Sequence, residues 1–565
     1  MDRTIESLAS YASDERIISL VAKERGKAAA KCRKSARRLH DEGIFSQVQS
    51  LTPPHSKWIH PGKGRMPGKG EHGLAAWTSG KKRASARVLA SIMWGREHTP
   101  DAPWAVSLDA FIRDIRNTLS GDGTITLETP QTHSKFKKSV SESGPFIYRP
   151  ICSYSDLKTK VILSLSCGWL LSFADRFFGP HMLFMRKAAR QDDGSWKVPN
   201  YMDAIDRIDA YRKAHDRESI WVGECDIQKF YDIFNHDDIV LCFEELFSEV
   251  REATGTADET FTPFRRVLDA YLASYDFPSQ VLGKNGDRAF WARETAAHRT
   301  KDGPEPECLF QWVDEDGFIS SGCYTPEEFA AARDGGKLGI PQGGALSGLI
   351  VNVVMHSIDR KILSREDPGR LMIRYCDDII LMNTDPERCR EDLDTYRNEL
   401  TRHRLLYHPF RELEDLKRGK RNRNAFWNAK SKGPYLWGAG GGDASNWIAF
   451  VGYEMHRGGQ IRIRKDKTDQ ELRRIKRAYY SALRSKPENL TEEKFIEKFN
   501  NVAPHLLDFE KVTPGRFTLS QARRLDKHLL WNVRKAARMT GLSEELAAKV
   551  TTFAMAVSDA AKDTD

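Results

Sequence analysis

The chain has 565 residues, 40% apolar and 10% aromatic, enough to bury a large core, which excludes wholesale disorder. Lys and Arg number 88 against 79 Asp and Glu, a net charge of +9, so the basic excess is modest and matters only where it clusters. Nine cysteines show no CxxC pair and no zinc-like spacing to histidine, and read as reduced thiols in a cytosolic protein.

The first ten residues, MDRTIESLAS, are acidic and polar and read as no signal peptide. Residues 17–40 predict a helix bearing Lys23, Arg25, Lys27, Lys31, Arg33, Lys34, Arg37 and Arg38. A basic loop rich in Gly and Pro follows from Pro61 to Arg83. Inside it GKGRMPGK approaches a phosphate-binding loop, but the glycine spacing is wrong and Gly70 stands where Ser or Thr would meet magnesium. Two basic segments in one chain point to a nucleic-acid face.

From about Phe146 to Ile463 strands alternate with helices in an α+β manner. The apolar run Val161 to Phe173 is too short to span a bilayer and reads as a buried helix. Trp221 to Ile227 (WVGECDI) predicts a strand ending in an acid. Thr325, Pro326 and Glu328 form a capping box with proline at the first helical position, and that helix ends near Gly335. Leu371 to Met382 (LMIRYCDDIILM) predicts a hairpin with Asp377 and Asp378 at its tip. Gly438 to Asp443 reads as a connector. Trp447 to Arg464 predicts a second hairpin turning at Gly458-Gly459. After about Lys465 the pattern is helical and basic, with Arg473, Arg474, Lys476 and Arg477 in one segment; residues 516–558 predict two or three amphipathic helices.

Adjacent carboxylates between apolar strands repel each other, and burial disfavours their ionisation. A divalent cation resolves that conflict. Two-metal phosphoryl transfer needs carboxylates from different strands to converge on two ions about 4 Å apart. Asp226, at the end of its own strand, is the natural third ligand beside Asp377 and Asp378. A bare DD pair alone is more often a solvated turn.

The surroundings change that. CDIQKFYDIFNH around Asp226, LGIPQGGALSGLIVN from Leu338 to Asn352 and RYCDDIIL around Asp377 occur in this order. Together they resemble the reverse transcriptases, whose YxDD box matches Tyr375 to Asp378 with Cys376 in the variable place. The resemblance covers roughly residues 120–480. It implies a right-hand polymerase of fingers, palm and thumb, with helical N- and C-terminal extensions. It implies RNA-templated DNA synthesis with two Mg2+ ions, or Mn2+, at Asp226, Ile227, Asp377 and Asp378.

Further roles are implied residue by residue. FIYRPI (146–151) is similar to the fingers segment whose arginine grips the triphosphate, here Arg149; Lys135, Lys137 or Lys138 adds a second cation. Tyr231 matches the aromatic ring beneath the sugar, which would clash with a 2′ hydroxyl. Gln342 matches the glutamine that touches the nucleotide. Phe450, Val451, Gly452 and Tyr453 resemble the primer grip. Lys432 matches the lysine after the DD strand, with Lys430 equally placed. The implied layout is a basic extension over 1–120, fingers over 121–215, palm over 216–245 and 338–445 with an insertion at 246–337, primer grip and thumb start over 446–480, and a helical thumb or C-terminal region over 481–565.

No RNase H-like acidic set and no Cys/His endonuclease module is seen, and VTP at Val512 to Pro514 is not the retron VTG. The palm looks most like the bacterial defence-associated (unknown-group) reverse transcriptases. That implies antiviral defence, with a structured noncoding RNA as template, deoxynucleotides, a DNA product, no membrane, and a second copy or an accessory protein as further partners. The alternatives are a template-independent or protein-primed nucleotide polymerase, and an RNA-binding, maturase-like scaffold of a mobile element.

Overall fold

A computed structural model describes residues 5–32, 39–58, 80–139, 145–187, 189–190, 196–295, 307–414, 425–438, 444–483, 490–500, 519–550 and 552. The fold is α+β. Its longer strands are β1 (Gln131–Ser139), β2 (Phe146–Ser153), β3 (Trp221–Asp226), β4 (Cys308–Phe310), β5 (Arg370–Tyr375), β6 (Asp378–Asn383), β7 (Ser431–Trp437), β8 (Trp447–Phe450), β9 (Tyr453–His456) and β10 (Ile461–Ile463).

The central sheet runs Ala444–Ser445, β7, β3, β6, β5, with Phe410–Arg411 also on β7. Its inner strands are covered on both sides, which is why the middle of β6 (IILM) is wholly apolar, while β3 carries Glu224 paired with Lys432 of β7. Side chains alternate between the two faces. Cys225, Ile379 and Leu381 enter one core, shared with helices Ser347–Leu363 and Pro386–Arg402. Val222, Ile380 and Met382 enter another, with Tyr435, Trp437, Phe450 and Tyr453.

A second sheet has β2 between β1 (antiparallel) and β4 (parallel). β4 comes from the 246–337 stretch expected to be an insertion. That stretch is tied into its surroundings: Phe261, Phe264, Val267 and Leu268 are buried in the main core, and the hydroxyls of Tyr271 and Ser347 lie 2.7 Å apart. Helix His236–Thr254 runs across the expected boundary at 245. The capping box stands as read, Thr325 Oγ1 accepting from Glu328 N ahead of helix Pro326–Asp334.

The expected basic extension shares this core too. Leu8, Ile17, Val21, Leu108 and Ile112 are buried with Trp169. Of the helix expected over 17–40, residues 17–32 lie in helix Asp14–Cys32 and residues 39–40 open helix Leu39–Ser50; residues 33–38, with Arg33, Lys34, Arg37 and Arg38, lie outside the described residues. So do 59–79, most of the basic loop, whose last residues 80–83 open helix Gly80–His98. The apolar run extends to helix Leu157–Ala174, capped by Asp156 on Thr159 N at 2.7 Å. Its 18 residues suffice by length and composition to cross a membrane, but it is mostly buried in the core.

The second hairpin is corrected to a three-stranded meander, β8-β9-β10. An extra tight turn at Val451-Gly452 separates β8 from β9, with φ of +42° and +92°. A β-branched residue is rare at positive φ, so the sequence carries no turn signal there. Helices Lys465–Leu483 and Leu519–Thr540 pack together after the meander; residues 439–443, 501–518 and 553–565, including VTP and part of the predicted connector, lie outside the described residues.

Candidate active site

Strand register brings the acids together. β3 runs antiparallel to β6 with Asp226 opposite Asp378, and β5 pairs with β6 so that Tyr375 is also opposite Asp378. Directly opposed residues in such a pair share a face, with Cβ atoms about 5 Å apart. Asp377 sits in the two-residue turn between β5 and β6, behind Cys376 at φ +62°. A non-glycine residue held there carries local strain of about 1–3 kcal/mol. The neighbouring backbone is fixed: Asp226 N donates to Ser431 Oγ at 3.1 Å, His408 N to Asp226 O at 2.9 Å, and Ile227 bridges to Tyr407.

The turn rests on a buried ion pair that motif reading passed over. The fully buried guanidinium of Arg374 lies 2.8 Å from Asp359, and Asp359 also meets His181 Nε2 at 2.9 Å. Arg374 reaches on to the Cys376 carbonyl at 3.4 Å. Removing one member of such a pair costs about 3–5 kcal/mol. The signal was the Arg before the YCDD box, unreadable without Asp359 beside it.

Crowding sets the electrostatics. Desolvation and then the Asp226 charge raise the carboxyl of Asp377. Desolvation, Asp377 and Asp226 push that of Asp378 up to about 7, although the residue keeps an exposed surface. Lys430 Nζ lies 2.5 Å from Asp226 Oδ2 and 3.2 Å from His408 Nε2. Three hard carboxylates that crowd one another are a donor set suited to Mg2+ or Mn2+. As they stand, among the described residues, no three His, Cys, Asp or Glu side chains are grouped closely enough to hold an ion.

The expectation for Lys432 is corrected. Its ammonium is buried 2.6 Å from Glu224, which also accepts from the Tyr435 hydroxyl, so the strand interior claims it; Lys430 is the lysine at the acids.

The nucleotide-side candidates gather nearby. Tyr231, in the 3-10 turn Phe230–Asp232, has its hydroxyl 3.6 Å from Cys376 Sγ. Gln342 Nε2 donates to Asp232 Oδ1 at 2.7 Å, and Gln342 O accepts from Cys152 N on β2 at 2.7 Å. Gly343, at φ +102°, permits this approach, since an added Cβ would lie 3.2 Å from Cys152 O. Arg149 is exposed on β2 opposite Lys135. Of the three lysines left open, Lys137 acts electrostatically on both Asp232 and His408; the side chain of Lys138 lies outside the described residues. Phe450 and Tyr453 are buried and anchor the meander turn, at which Val451 and Gly452 are half-buried.

The family of reverse transcriptases (RNA-dependent DNA polymerases) matches residues 321–409, which include Gln342 and the Tyr375–Asp378 turn. No curated protein matches the sequence. Among solved structures, apo telomerase from Candida tropicalis is 11% identical with a TM-score of 0.33, covering 99% of this chain and 85% of that one. Telomerase from Candida albicans in complex with a TWJ fragment of telomeric RNA is 11% identical with a TM-score of 0.28, covering 93% and 81%. Scores of this size establish no shared overall fold. The matched domain makes the chain an RNA-directed DNA polymerase, a nucleotidyltransferase.

Proposed function

We propose that the chain copies RNA into DNA as a right-hand polymerase. The central sheet is its palm, the β1-β2-β4 sheet belongs to its fingers, and the meander with the following helices forms primer grip and thumb. The observation that carries this reading is the register setting Asp226 opposite Asp378 beside Asp377. Asp226, Asp377 and Asp378, with Ile227, would hold two divalent ions. Such ions, when bound, help deprotonate the attacking 3′ hydroxyl and stabilise the leaving pyrophosphate. Arg149 and Lys137 supply fixed cations for the triphosphate. The Tyr231 ring excludes a 2′ hydroxyl, Gln342 orients the nucleotide, and the Phe450 to Tyr453 turn seats the primer end. Replacing Asp377 and Asp378 together by Ala abolishes incorporation on a primed RNA while folding and RNA binding persist; incorporation within tenfold of wild type would sink the assignment.

The same reading gives the enzyme a structured noncoding RNA as template and a role in bacterial antiviral defence, in the cytoplasm. Support comes from the motifs and from cations beyond the site. Helix Leu519–Thr540 exposes Arg523, Arg524, Lys527, Arg534, Lys535 and Arg538 around an exposed Trp531. Phosphate neutralisation by such a face makes RNA binding fall steeply with salt. RNA copurified from the native locus is sequenced, and cells are challenged with phage with and without Asp377→Ala. Bulk cellular RNA alone removes the dedicated template; unaltered resistance removes synthesis as the basis of defence.

A further inference from the structure

Asp232 follows Tyr231 directly, yet its side chain turns inward and is 3% exposed. A buried carboxylate is costly unless it is paired, and burial pushes this one up to about 6. What meets it is the Gln342 amide, at 2.7 Å. The charges of Lys229, Arg149 and Lys137 also act on it. Gln342 is held a second time through its carbonyl, by the backbone of β2 three residues beyond Arg149. Ile340, two residues before Gln342, donates its N–H to the Tyr231 carbonyl at 2.8 Å. One carboxylate thus stands among the aromatic ring, the glutamine and the strand that carries the arginine.

We propose that Asp232 is a positioning residue of the nucleotide pocket, whose carboxylate orients the Gln342 amide and thereby sets the spacing between Tyr231 and β2. The inference rests on the nucleotide-binding reading of Gln342, Arg149 and Tyr231 given above. Asp232 touches no substrate and acts through Gln342. Its loss weakens nucleotide binding more than chemistry, which appears as a raised KM with kcat nearly kept. The expected size is about tenfold, that of one hydrogen bond to a charged group. Two variants whose effects pass through one contact are non-additive.

The experiment uses the full chain on a primed RNA with deoxynucleotides. Wild-type incorporation tests the polymerase reading; only the variants test Asp232. Expected are a KM raised about tenfold in Asp232→Ala with kcat within threefold, a KM within threefold in Asp232→Asn, which keeps an acceptor for the amide, and under twofold further change when Asp232→Ala is added to Gln342→Ala. An unchanged KM in Asp232→Ala, effects that multiply in the double variant, or an Asn variant as impaired as Ala overturns the proposal. Should Asp232→Ala not fold, Asp232→Asn alone decides: a tenfold rise in its KM overturns the proposal, and a KM within threefold supports it.

Discussion

Lys430 and Lys432 are two positions apart and their ammonium groups have different work. β7 runs antiparallel to β3 with Lys432 opposite Glu224, and the same register carried two residues further brings Lys430 to Asp226. Spacing after the DD strand left both lysines open, because only the long-range pairing separates them. Lys432→Met leaves Glu224 buried without its cation and should lower unfolding free energy by about 3–5 kcal/mol. Lys430, largely exposed, should lower it by less than about 1 kcal/mol on the same change. Denaturant titration of the two variants checks this. The acids give a pH prediction. The Asp378 carboxyl is raised in the folded chain to about 7 from an ordinary 3.8, so the unfolded chain gives up its proton first. Stability therefore falls as pH rises from about 4 to about 7 and is level above. Without divalent cation, Asp378→Asn removes that cost: its Tm should exceed the wild type's at pH 8, with the gap narrowing by pH 5. Water at the exposed side chain tempers the size. An equal gap at both pH values would show that Asp378 is not the group responsible.

Single elements were legible where their signals are local. The capping box of Thr325 and Glu328 and the hairpin around Asp377 depend on neighbours within a few residues, and both formed where their residues implied. The meander turn shows the opposite case. Val451 occupies a backbone region that β-branched residues avoid, so WIAFVGYEMH reads as one strand although it is two. Gly452, at φ +92°, makes the turn affordable. Gly452→Ala should cost about 1–2 kcal/mol, read as a lower denaturation midpoint. Unchanged stability would mean the turn relaxes without strain.

At the scale of the molecule, sequence reading was least able to foresee sharing. The first 120 residues look like a basic appendage because their charges are conspicuous and their contacts are not local. Leu8, Ile17, Val21, Leu108 and Ile112 nonetheless complete the core under Trp169. Stripping them away would expose that core to water, at about 25 cal/mol for each Å2 of apolar surface. A chain beginning at residue 121 should fail to yield soluble folded protein; a monomeric, cooperatively melting fragment would contradict this. The central sheet has a consequence for how the protein is made. β3 lies between β6 and β7, both of which follow it along the chain. During synthesis at about 5–20 residues per second, Asp226 leaves the ribosome roughly 8–30 s before Asp378. For that interval the strand that is to become the middle of the sheet has neither neighbour, and any chain cut short before residue 378 lacks the opposing carboxylate altogether. On the two-metal reading proposed above, nascent chains and chains cut short before residue 378 should therefore incorporate no nucleotide, and activity should arrive only once β6 has been made.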